Sequence, residues 1–587
     1  MSATVRVPDL LAARVRANPE HVALVVDAAT SSGRSPQSLT YRAWQQRSGG
    51  LARGLARLGV SPGDRIGLFF DNGWWTDYAV CYLAAHRAGA VAVPCSPRFS
   101  ARELLHVVEH AGIGMVLRPG ELTDLLPPLP GCRVLEPPEV DAAGQHDEDL
   151  EAPAPATELA EIIYTSGTTA RPKGVACTHA SILGHDLPPA PEGEASFLHA
   201  FPIGTNAGQE CVRMPLRRRT TAVVLPSFDP ERLCAVVAQR RIRRLQLVPA
   251  MAQMLVASGT APHFDLSSVD RVTLSSAPAP AGLWAQLAAV FPGAELFNAY
   301  ALTESGGART LMHHDPARPH AVGRPVGDTE LRVVDEAGAD VPVGEAGEVW
   351  LRRPGSPRRE YYRDPEATAA AFAGGWLRTG DVGFRDADGC LHLVDRSKDV
   401  IISGGLNVSS VEVEDVLYEH PAVLEAAVFG VPHDVLGQDV AAAVVVGTST
   451  PARELQAVVR DRLAEHKVPH RVFFVESLPR NASGKVVKRE LRERFAAPPA
   501  APAPEAPRGE IEADVLAVWQ EVLGRADFGL GDDFFDLGGH SLAAAQVAAR
   551  LGDRFGVGLT PTTVFDHPTV AELATVLSAA AIGAGSS

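Results

Sequence analysis

The spacing of apolar residues predicts alternating helices and strands over roughly the first 300 residues. Apolar positions three or four residues apart are typical of helices, and short continuous apolar runs are typical of buried strands. The predicted helices are residues 8–18, 41–58 and 75–89, and the predicted strands are residues 23–26, 65–70 and 90–94. Such alternation favours a mostly parallel α/β sheet with helices on its faces.

The pattern changes twice towards the C-terminus. Residues 408–478 mix the two periodicities, with a strand predicted at residues 426–431 and a helix at residues 453–466. Residues 496–508 (AAPPAAPAPEAPR) form an Ala-Pro segment that cannot build a core and favours an extended spacer. We therefore expect a linker here and a separate module after it.

Length, charge and cysteine content narrow the class of protein. A chain of 587 residues exceeds a single core, so several domains are expected. The net charge of −16 argues against binding to nucleic acid or an anionic membrane. The sequence has no run of about 18 apolar residues, so no membrane span is predicted. Charged residues interrupt residues 1–27, so this segment does not have the apolar core of a signal peptide. The seven cysteines lack a C-x-x-C pair, which favours reduced thiols in a cytoplasmic protein.

Residues 164–174 (YTSGTTARPKG) concentrate hydroxyls, glycines and cations directly after Ile162 and Ile163, which end a predicted strand. Glycines let backbone N–H groups turn towards an anion, and hydroxyls can donate to phosphate oxygens. Lys173 adds a mobile charge suited to outer phosphates. The spacing of a Walker loop is absent. A polar surface turn is the alternative, but the attached Arg-Pro-Lys-Gly favours a phosphate-binding loop.

This run resembles the phosphate loop of the adenylate-forming superfamily, which comprises acyl- and aryl-CoA ligases, luciferases and the adenylation domains of nonribosomal peptide synthetases. Ala170 stands where that loop usually has glycine, and its methyl group narrows the backbone freedom. The resemblance implies that the loop binds the phosphates of ATP. The residues assigned to this role are Thr165, Ser166, Gly167, Thr168, Thr169 and Lys173.

Residues 298–304 (NAYALTE) resemble the Y-G-x-T-E motif of the family, with Ala301 in place of glycine. The resemblance implies that Tyr300 stacks on adenine, that Thr303 bonds the α-phosphate and that Glu304 is an oxygen ligand for Mg²⁺. Thr303 and Glu304 are therefore assigned to the catalytic step. A Thr-Glu pair alone would be an ordinary helix start; its spacing after the phosphate loop favours the functional interpretation.

Residues 375–381 (GWLRTGD) match the T-G-D motif of the same family. Its aspartate, here Asp381, would accept hydrogen bonds from both ribose hydroxyls. This role requires a group that only accepts hydrogen bonds, such as an ionised carboxylate. The alternative is an aspartate in a Gly-flanked turn. Three more residues are assigned to the nucleotide site by the same resemblance: Ser276, Ala277 and Asn298.

Residues 395–408 (DRSKDVIISGGLNV) resemble the hinge into a smaller C-terminal subdomain. Arg396 would reach the ribose or a phosphate, and Lys398 is the matching hinge position. The sequence of this segment resembles that of acyl-CoA ligases more closely than that of amino-acid adenylation domains. Residues 479–485 (PRNASGK) match the loop that carries the catalytic lysine of the family, here Lys485. As an alternative, Arg396, Lys398 and Lys485 are solvated surface charges.

Residues 201–208 (FPIGTNAG) lie where the family begins its acyl pocket, so Thr205, Asn206 and Gln209 are the predicted pocket residues. Amino-acid-activating domains place an aspartate hereabouts for the substrate ammonium, whereas here no carboxylate occurs before Glu210. An ammonium buried without a counter-charge is costly. We therefore expect an acid without an α-ammonium group, with an amino acid as the alternative substrate. Thr205 and Asn206 could also simply form a turn.

The last segment is short and helical, with a final helix expected at residues 569–577. Residues 536–542 (DLGGHSL) open a second helix and closely resemble the 4′-phosphopantetheine attachment motif of carrier domains, in which Ser541 would bear the arm. A helix N-terminus favours the negative phosphodiester. A plain N-cap and an incomplete hydrolase elbow are the alternatives. The apolar face of the first helix comprises Val515, Val518, Trp519, Val522 and Leu523.

The resemblance covers essentially the whole chain and implies its fold class. We expect a large α/β N-terminal domain of stacked sheets with flanking helices, a small α+β C-terminal subdomain and an all-α four-helix carrier domain. The expected segments are 1–395 (N-terminal core), 396–495 (C-terminal subdomain, hinged near 396–398), 496–509 (linker), 510–580 (carrier) and 581–587 (tail).

The implied reaction joins a carboxylic acid to ATP as an acyl-adenylate and then loads the acyl group onto the carrier thiol. There are two alternatives. The protein could be a CoA ligase whose carrier serves another role, or an inactive scaffold that only presents its carrier. Ala170 and Ala301, which replace glycines of the family motifs, keep the scaffold open as an alternative. The expected partners are the acid, a phosphopantetheinyl transferase and downstream synthetase or tailoring enzymes. The sequence does not name the acid.

Overall fold

The computed structural model describes residues 5–27, 37–143, 159–165, 171–183, 196–433, 436–481, 485–496, 507–526, 528–532, 534–535, 537, 539 and 541–584. They belong to two compact units. The first unit is Met1–Leu393 with Asn481–Lys485, and the second is Val394–Arg480 with Val486–Ser587.

The first unit contains two sheets and their flanking helices. Its α-helices are α1 (Val7–Ala17), α2 (Tyr41–Arg57), α3 (Trp75–Arg87), α4 (Ala101–Ala111), α5 (Pro137–Ala143), α6 (His179–Leu183), α7 (Asn206–Arg217), α8 (Pro230–Arg240), α9 (Pro249–Ser258), α10 (Ala281–Val290) and α11 (Pro365–Ala371). Short 3₁₀ helices lie at Asn72–Trp74, Gly120–Leu125, Ala261–His263 and Thr303–Ser305. The strands are β1 (Val22–Val26), β2 (Gln37–Thr40), β3 (Arg65–Phe69), β4 (Val91–Cys95), β5 (Ile113–Leu117), β6 (Arg133–Leu135), β7 (Leu159–Thr165), β8 (Lys173–Thr178), β9 (Phe197–His199), β10 (Ala222–Val224), β11 (Arg244–Leu247), β12 (Arg271–Ser275), β13 (Glu295–Ala301), β14 (Arg309–His313), β15 (Ala321–Pro325), β16 (Glu330–Val334), β17 (Gly347–Arg352), β18 (Glu360–Tyr361), β19 (Phe372–Ala373), β20 (Trp376–Arg385) and β21 (Leu391–Arg396).

The second unit contains one sheet and seven helices among its described residues. Its strands are β22 (Ile401–Ser403), β23 (Leu406–Val408), β24 (Val423–His433), β25 (Gly437–Val446) and β26 (Arg471–Phe474). Its helices are α12 (Ser410–Leu417), α13 (Ala452–Arg462), α14 (Lys488–Phe495), α15 (Glu510–Leu523), α16 (Ser541–Phe555), α17 (Pro561–Asp566) and α18 (Val570–Ala584), with a 3₁₀ helix at Glu465–Lys467.

Local capping explains where several helices begin. The Thr40 hydroxyl accepts from the Ala43 N–H at 3.1 Å and starts α2. Ser100 and Glu103 form a reciprocal capping box at α4. Such bonds satisfy N–H groups that a helix leaves unpaired at its N-terminus.

The smaller sheet has seven strands in the order β18-β8-β7-β4-β3-β5-β6. Strands β3 to β7 pair in parallel, whereas β8 pairs antiparallel with both β7 and β18. Both faces are covered: Ile66 and Leu68 enter one core cluster, and Phe69 enters another with α4. This two-sided burial explains why these strands read as continuous apolar runs.

The larger sheet has fourteen strands, and its parallel part ends at β13. One apolar core joins residues of both sheets, for example Leu24 and Val224 of the larger sheet with Leu68 and Ile163 of the smaller. A second core packs the other face of the larger sheet against α8, α9 and α10. The expected architecture of stacked sheets with flanking helices is therefore confirmed.

A buried ion pair holds α7 against the strand that leads into the phosphate loop. Arg213 of α7 donates to Glu161 of β7 at 2.6 Å, and both side chains are fully buried. The Tyr82 hydroxyl donates to the other Glu161 oxygen at 2.9 Å, and Arg213 also pairs with Glu210 at 2.8 Å. Since a buried charge is costly without its partner, this network selects one placement of α7.

The second unit contains two cores around its sheet and one in the carrier. Val428 and Val440 pack with α12 and α13 on one face of the sheet, and Phe429 packs with α14 on the other. The carrier helices α15 to α18 surround a separate core that includes Trp519. The α+β subdomain and the four-helix carrier are therefore as expected.

Predicted boundaries differ from the observed ones by small amounts. The helix expected at residues 453–466 ends at Arg462, and a 3₁₀ turn follows at Glu465–Lys467. The strand expected at residues 426–431 extends to Val423–His433 because its pairing with β25 continues in both directions. All seven cysteines are free thiols. None of the described helices has the length and apolar character needed to cross a membrane.

Removing one side of the buried ion pair should destabilise the first unit strongly. We expect Arg213→Met to lower the free energy of unfolding by about 3–5 kcal/mol, since Glu161 stays buried without its cation. Replacing both partners with Arg213→Met and Glu161→Leu should recover much of the loss. Denaturant unfolding monitored by fluorescence tests this. Arg42→Met, which breaks an exposed pair with Glu20, is the control. Equal effects of Arg213→Met and Arg42→Met would contradict the interpretation.

Candidate active site

Two residues predicted for the nucleotide meet through a hydrogen bond. The Tyr300 hydroxyl, at the end of β13, donates to Asp381 Oδ2 of β20 at 2.6 Å. Asp381 is buried, and its N–H donates to the Thr379 hydroxyl at 3.1 Å. Gly380 has φ of +69°, a left-handed conformation that favours glycine. The larger sheet thus brings an aromatic ring and an acceptor carboxylate together, as base and ribose recognition would require.

The Thr303–Ser305 turn follows β13 and presents Glu304. Glu304 Oε1 accepts from the Tyr361 hydroxyl at 2.9 Å. The Lys173 ammonium lies 5.0 Å from the centre of the same Tyr361 ring. Two residues assigned to phosphate and Mg²⁺, Lys173 and Glu304, therefore contact one tyrosine.

The phosphate loop is described at both ends. Strand β7 ends at Thr165 and β8 begins at Lys173, and these two residues pair across the hairpin. Gly174 is required, because a Cβ there would lie 2.8 Å from Ile162 Cγ2 and 3.0 Å from Tyr164 Cζ. The intervening residues predicted to bind phosphate lie outside the described residues: Ser166, Gly167, Thr168 and Thr169, together with Ala170.

The predicted acyl-pocket side chains make contacts within the protein. Thr205 caps α7: its hydroxyl accepts from the Gly208 N–H at 3.0 Å and donates to the Pro202 carbonyl at 2.8 Å. Gln209 is fully buried; it donates to the Ile203 carbonyl and accepts from the Tyr78 hydroxyl at 2.7 Å. These bonds fix the wall of the expected pocket.

Sequence reasoning missed two residues, Arg359 and Tyr361. Arg359 is 2% exposed and donates to Asn206 Oδ1 at 3.1 Å and to the Thr303 carbonyl. Tyr361 lies in β18, which pairs with β8 beside the phosphate loop. In the sequence, residues 358–363 (RREYYR) look like a solvated charged run, so no local signal separates them from a surface.

Ser276, Ala277 and Asn298 have different surroundings. Ser276 and Ala277 are exposed, and Ser276 has a left-handed φ of +75°, which is uncommon for a residue with a Cβ. Asn298 is buried and donates to the Ala321 carbonyl at 3.2 Å, so it connects β13 with β15. Ala301 is not among the described residues with positive φ, and alanine therefore brings no backbone strain at that position.

Two hydrogen bonds connect Lys485 with Asn481. The Lys485 N–H donates to Asn481 Oδ1 and the Asn481 N–H donates to the Lys485 carbonyl, both at 2.9 Å. The Lys485 side chain is exposed. The segment Asn481–Lys485 groups with the first unit, which also holds Tyr300 and Asp381.

Strand β21 crosses the boundary between the two units, which lies after Leu393, so the predicted hinge residues Arg396 and Lys398 belong to the second unit. Lys398 is exposed, and its carbonyl accepts from Arg492 at 3.5 Å. Arg396 is partly buried, and its N–H donates to Asp395 at 2.7 Å. Asp395 in turn accepts from the N–H and hydroxyl of Ser410, so the segment is anchored to the start of α12.

Ser541 is the first residue of α16 (Ser541–Phe555). Of the described residues before it, the Gly539 N–H donates to the Phe534 carbonyl at 2.8 Å, and a Cβ on Gly539 would lie 2.3 Å from the Phe534 ring. The neighbouring Leu542 is 65% exposed. A helix start of this kind fits attachment of a phosphodiester arm. Asp536, Gly538 and His540 lie outside the described residues.

Glu304 offers a carboxylate of the kind that can bind Mg²⁺. In the part of the chain that is described, no group of three or more His, Cys, Asp or Glu side chains could hold a metal ion. Mg²⁺ is commonly held by one or two carboxylates together with substrate phosphates and water. A single carboxylate oriented by Tyr361 therefore suits it.

Comparison with known proteins matches three segments of the chain. Residues 11–362 match the AMP-binding enzyme family, residues 412–485 match the AMP-binding enzyme C-terminal domain, and residues 513–577 match the phosphopantetheine attachment site. Feruloyl-CoA synthase from Amycolatopsis sp is 35% identical over 479 residues, which are 80% of this chain and 96% of that protein.

Two further similarities include the carrier region. Tyrocidine synthase 2 from Brevibacillus parabrevis is 29% identical over 563 residues, which are 93% of this chain and 15% of that protein. The structure of the McyG A-PCP protein complexed with phenylalanyl-adenylate aligns with a TM-score of 0.81 at 20% identity and covers 98% of each chain. The latter similarity shows the fold.

Replacing the Asp381 carboxylate with an amide should weaken nucleotide binding. We expect Asp381→Asn to raise the Kd for AMP about 10- to 100-fold, the equivalent of one or two hydrogen bonds to a charged acceptor. Tyr300→Phe should have a smaller effect, since the ring remains. Isothermal titration calorimetry with AMP measures both. Asp388→Asn, which changes an exposed carboxylate, is the control. Unchanged affinity in Asp381→Asn would rule out the ribose assignment.

Proposed function

Because the chain belongs to the AMP-binding enzyme family and ends in a phosphopantetheine attachment domain, we propose that it activates a carboxylic acid with ATP and loads the acyl group onto its own carrier. The observation that supports this most is the cluster around Tyr361, where Lys173 and Glu304 meet in the unit that also contains Asp381 and Lys485. One chain thus carries both a site suited to adenylation and an attachment serine.

In the first half-reaction, a carboxylate oxygen of the acid attacks the α-phosphorus of ATP, and the bond to the pyrophosphate oxygen breaks. This chemistry needs positioning and charge neutralisation. Tyr300 and Asp381 bind the nucleoside, Thr303 bonds the α-phosphate, and Lys173 attracts the outer phosphates. Lys485 stabilises the charge that develops between the α-phosphate and the carboxylate. Glu304 would hold Mg²⁺, which neutralises phosphate charge when bound.

In the second half-reaction, the small subdomain rotates about Lys398 and withdraws Lys485. A phosphopantetheine arm on Ser541 would supply the thiol. The acyl carbon forms a bond with sulfur, the bond to the AMP oxygen breaks, and the thiol proton passes to solvent. The Ala-Pro segment at residues 496–508 favours an extended tether. Tethering makes the transfer effectively unimolecular, at an effective concentration of order mM.

The contacts around α7 favour an acid without an α-ammonium group. Glu210 is the first carboxylate after the start of the expected pocket, and it pairs with Arg213 and Arg217, both at 2.8 Å. It is therefore already neutralised. The 35% identity with feruloyl-CoA synthase supports an aromatic acid such as ferulic acid as the first candidate to test.

A CoA ligase that releases acyl-CoA is the second candidate. Two observations favour a CoA ligase: the similarity to feruloyl-CoA synthase, and the sequence of residues 395–408, which resembles that of acyl-CoA ligases. In that case the carrier would serve another role. A scaffold without activity is less favoured, because Ala301 introduces no left-handed strain at the Thr303 turn. The carrier implies a phosphopantetheinyl transferase, and we infer that downstream enzymes in the cytoplasm collect the product.

Loading should depend on the carrier serine. With holo-protein, ATP and radiolabelled acid chosen by a pyrophosphate-exchange screen, we expect label to stay on the protein and to be absent in Ser541→Ala. Exchange activity should be retained in that variant, because the first half-reaction does not use the arm. Acyl-CoA formed equally well by wild type and Ser541→Ala would instead favour the second candidate. Absence of exchange with every acid would support the scaffold.

Lys485 should matter for adenylation and not for transfer. We expect Lys485→Met to reduce pyrophosphate exchange about 100- to 1,000-fold, in line with the loss of one preorganised charge contact to a transition state. When acyl-adenylate is supplied, loading by the same variant should remain near wild type. Lys467→Met, which removes a lysine paired with Glu412, is the control. Full exchange activity in Lys485→Met would refute the assignment.

A further inference from the structure

Arg359 is a buried cation whose hydrogen-bond partners among the described residues are both neutral. Its side chain is 2% exposed, and one guanidinium nitrogen donates to both Asn206 Oδ1, at 3.1 Å, and the Thr303 carbonyl. Its Nε is buried without a hydrogen-bond partner. Among the described residues, no carboxylate forms an ion pair with it. Burying a charge with only neutral partners is costly, so a local requirement must keep the arginine in place.

Arg359 lies directly before β18 (Glu360–Tyr361), and it differs from its neighbours in exposure. Arg358 and Glu360 form an exposed pair at 3.0 Å, whereas Arg359 and Tyr361 point inwards. The inward pair contacts the turn after β13 at two places, Thr303 and Glu304.

The two partners of Arg359 belong to different parts of the expected site. Asn206 is the first residue of α7, where the acyl pocket is expected to begin, and Thr303 opens the turn assigned to the α-phosphate. Since both accept from the same guanidinium nitrogen, Arg359 connects the expected acyl-pocket wall directly with this turn. A misplacement of about 1 Å can cost 100-fold in rate, so the separation of the two walls matters.

We propose that Arg359 is a positioning residue for adenylation, which fixes Asn206 of the acyl-pocket wall relative to the Thr303 turn. The role rests on the proposed function. This positioning role predicts that loss of the guanidinium changes the rate of the chemical step and the KM for the acid more than it changes nucleotide binding. The base and the ribose are assigned to Tyr300 and Asp381.

The test measures pyrophosphate exchange in the full chain with the acid selected by the screen. We expect Arg359→Met to lower kcat about 10- to 100-fold and to raise the KM for the acid, as expected for the loss of hydrogen bonds from a charged donor. The KM for ATP and the calorimetric Kd for AMP should stay within about threefold, which also shows that the variant is folded. Arg359→Lys should recover most of the activity, because an ammonium can donate to both partners.

A double-mutant cycle tests whether Arg359 acts through Asn206. Asn206→Ala combined with Arg359→Met should be no more than about twofold worse than Arg359→Met alone, since coupled contacts are not additive. Arg358→Met removes the neighbouring exposed arginine and should keep wild-type kinetics.

Three results would overturn the role: unchanged kcat in Arg359→Met, equal impairment in Arg359→Lys and Arg359→Met, or multiplicative losses in the double variant. Wild-type protein without exchange on any acid would overturn the proposed function, and this role with it. Exchange in wild type that Arg359→Met retains would overturn the role alone.

Discussion

Hydrogen bonds from Tyr361 of the short strand β18, and from Arg359 directly before it, connect parts of the candidate site that lie far apart in the chain. Tyr361 donates to Glu304, and Arg359 reaches Thr303 and Asn206. The strand itself is held beside the phosphate loop, because it pairs with β8 and the N–H that follows it donates to the Gly174 carbonyl at 2.7 Å. The phosphate loop, the Thr303 turn and the start of α7 therefore share one support.

The buried pair between Glu161 and Arg213 supplies the second constraint. Apolar packing alone tolerates small shifts of a helix along its neighbours, whereas a buried ion pair at 2.6 Å does not. Since Arg213 lies two turns after Asn206 on α7, its position also sets where Asn206 meets Arg359. Two interactions about two turns apart on one helix thus fix the position of Asn206.

Much of the fold was predictable because its signals are local. The alternation of apolar runs to about residue 300 predicts the parallel strands, and that pattern ends at β13, where the observed pairing becomes antiparallel. The amino-acid sequence alone identifies the motif around Tyr300 and the motif around Asp381 as two separate motifs. The structure adds the hydrogen bond between the Tyr300 hydroxyl and the Asp381 carboxylate. Which residue the Tyr300 hydroxyl contacts depends on the order of strands in the sheet, and no local sequence pattern predicts that order.

The remaining site residues depend on tertiary contacts. Arg359 looks like the exposed Arg358 in the sequence, and only the tertiary contacts distinguish the buried arginine from the exposed one. Thr205 was predicted for the acyl pocket, although a threonine before an amphipathic run is also an N-cap signal, and its hydroxyl is used in that way. A hydroxyl or amide can serve the backbone or a ligand equally well, so residue type alone does not decide between them.

The charges around α7 show why Arg359 differs from the other buried arginines of this region. Arg213 and Arg217 both pair with Glu210, and Arg213 also pairs with Glu161. Arg359 instead donates to the Asn206 side chain and the Thr303 carbonyl, which are both neutral. Because a buried charge with only neutral partners is costly, Arg359 depends on these two hydrogen bonds more than Arg213 and Arg217 depend on any single contact.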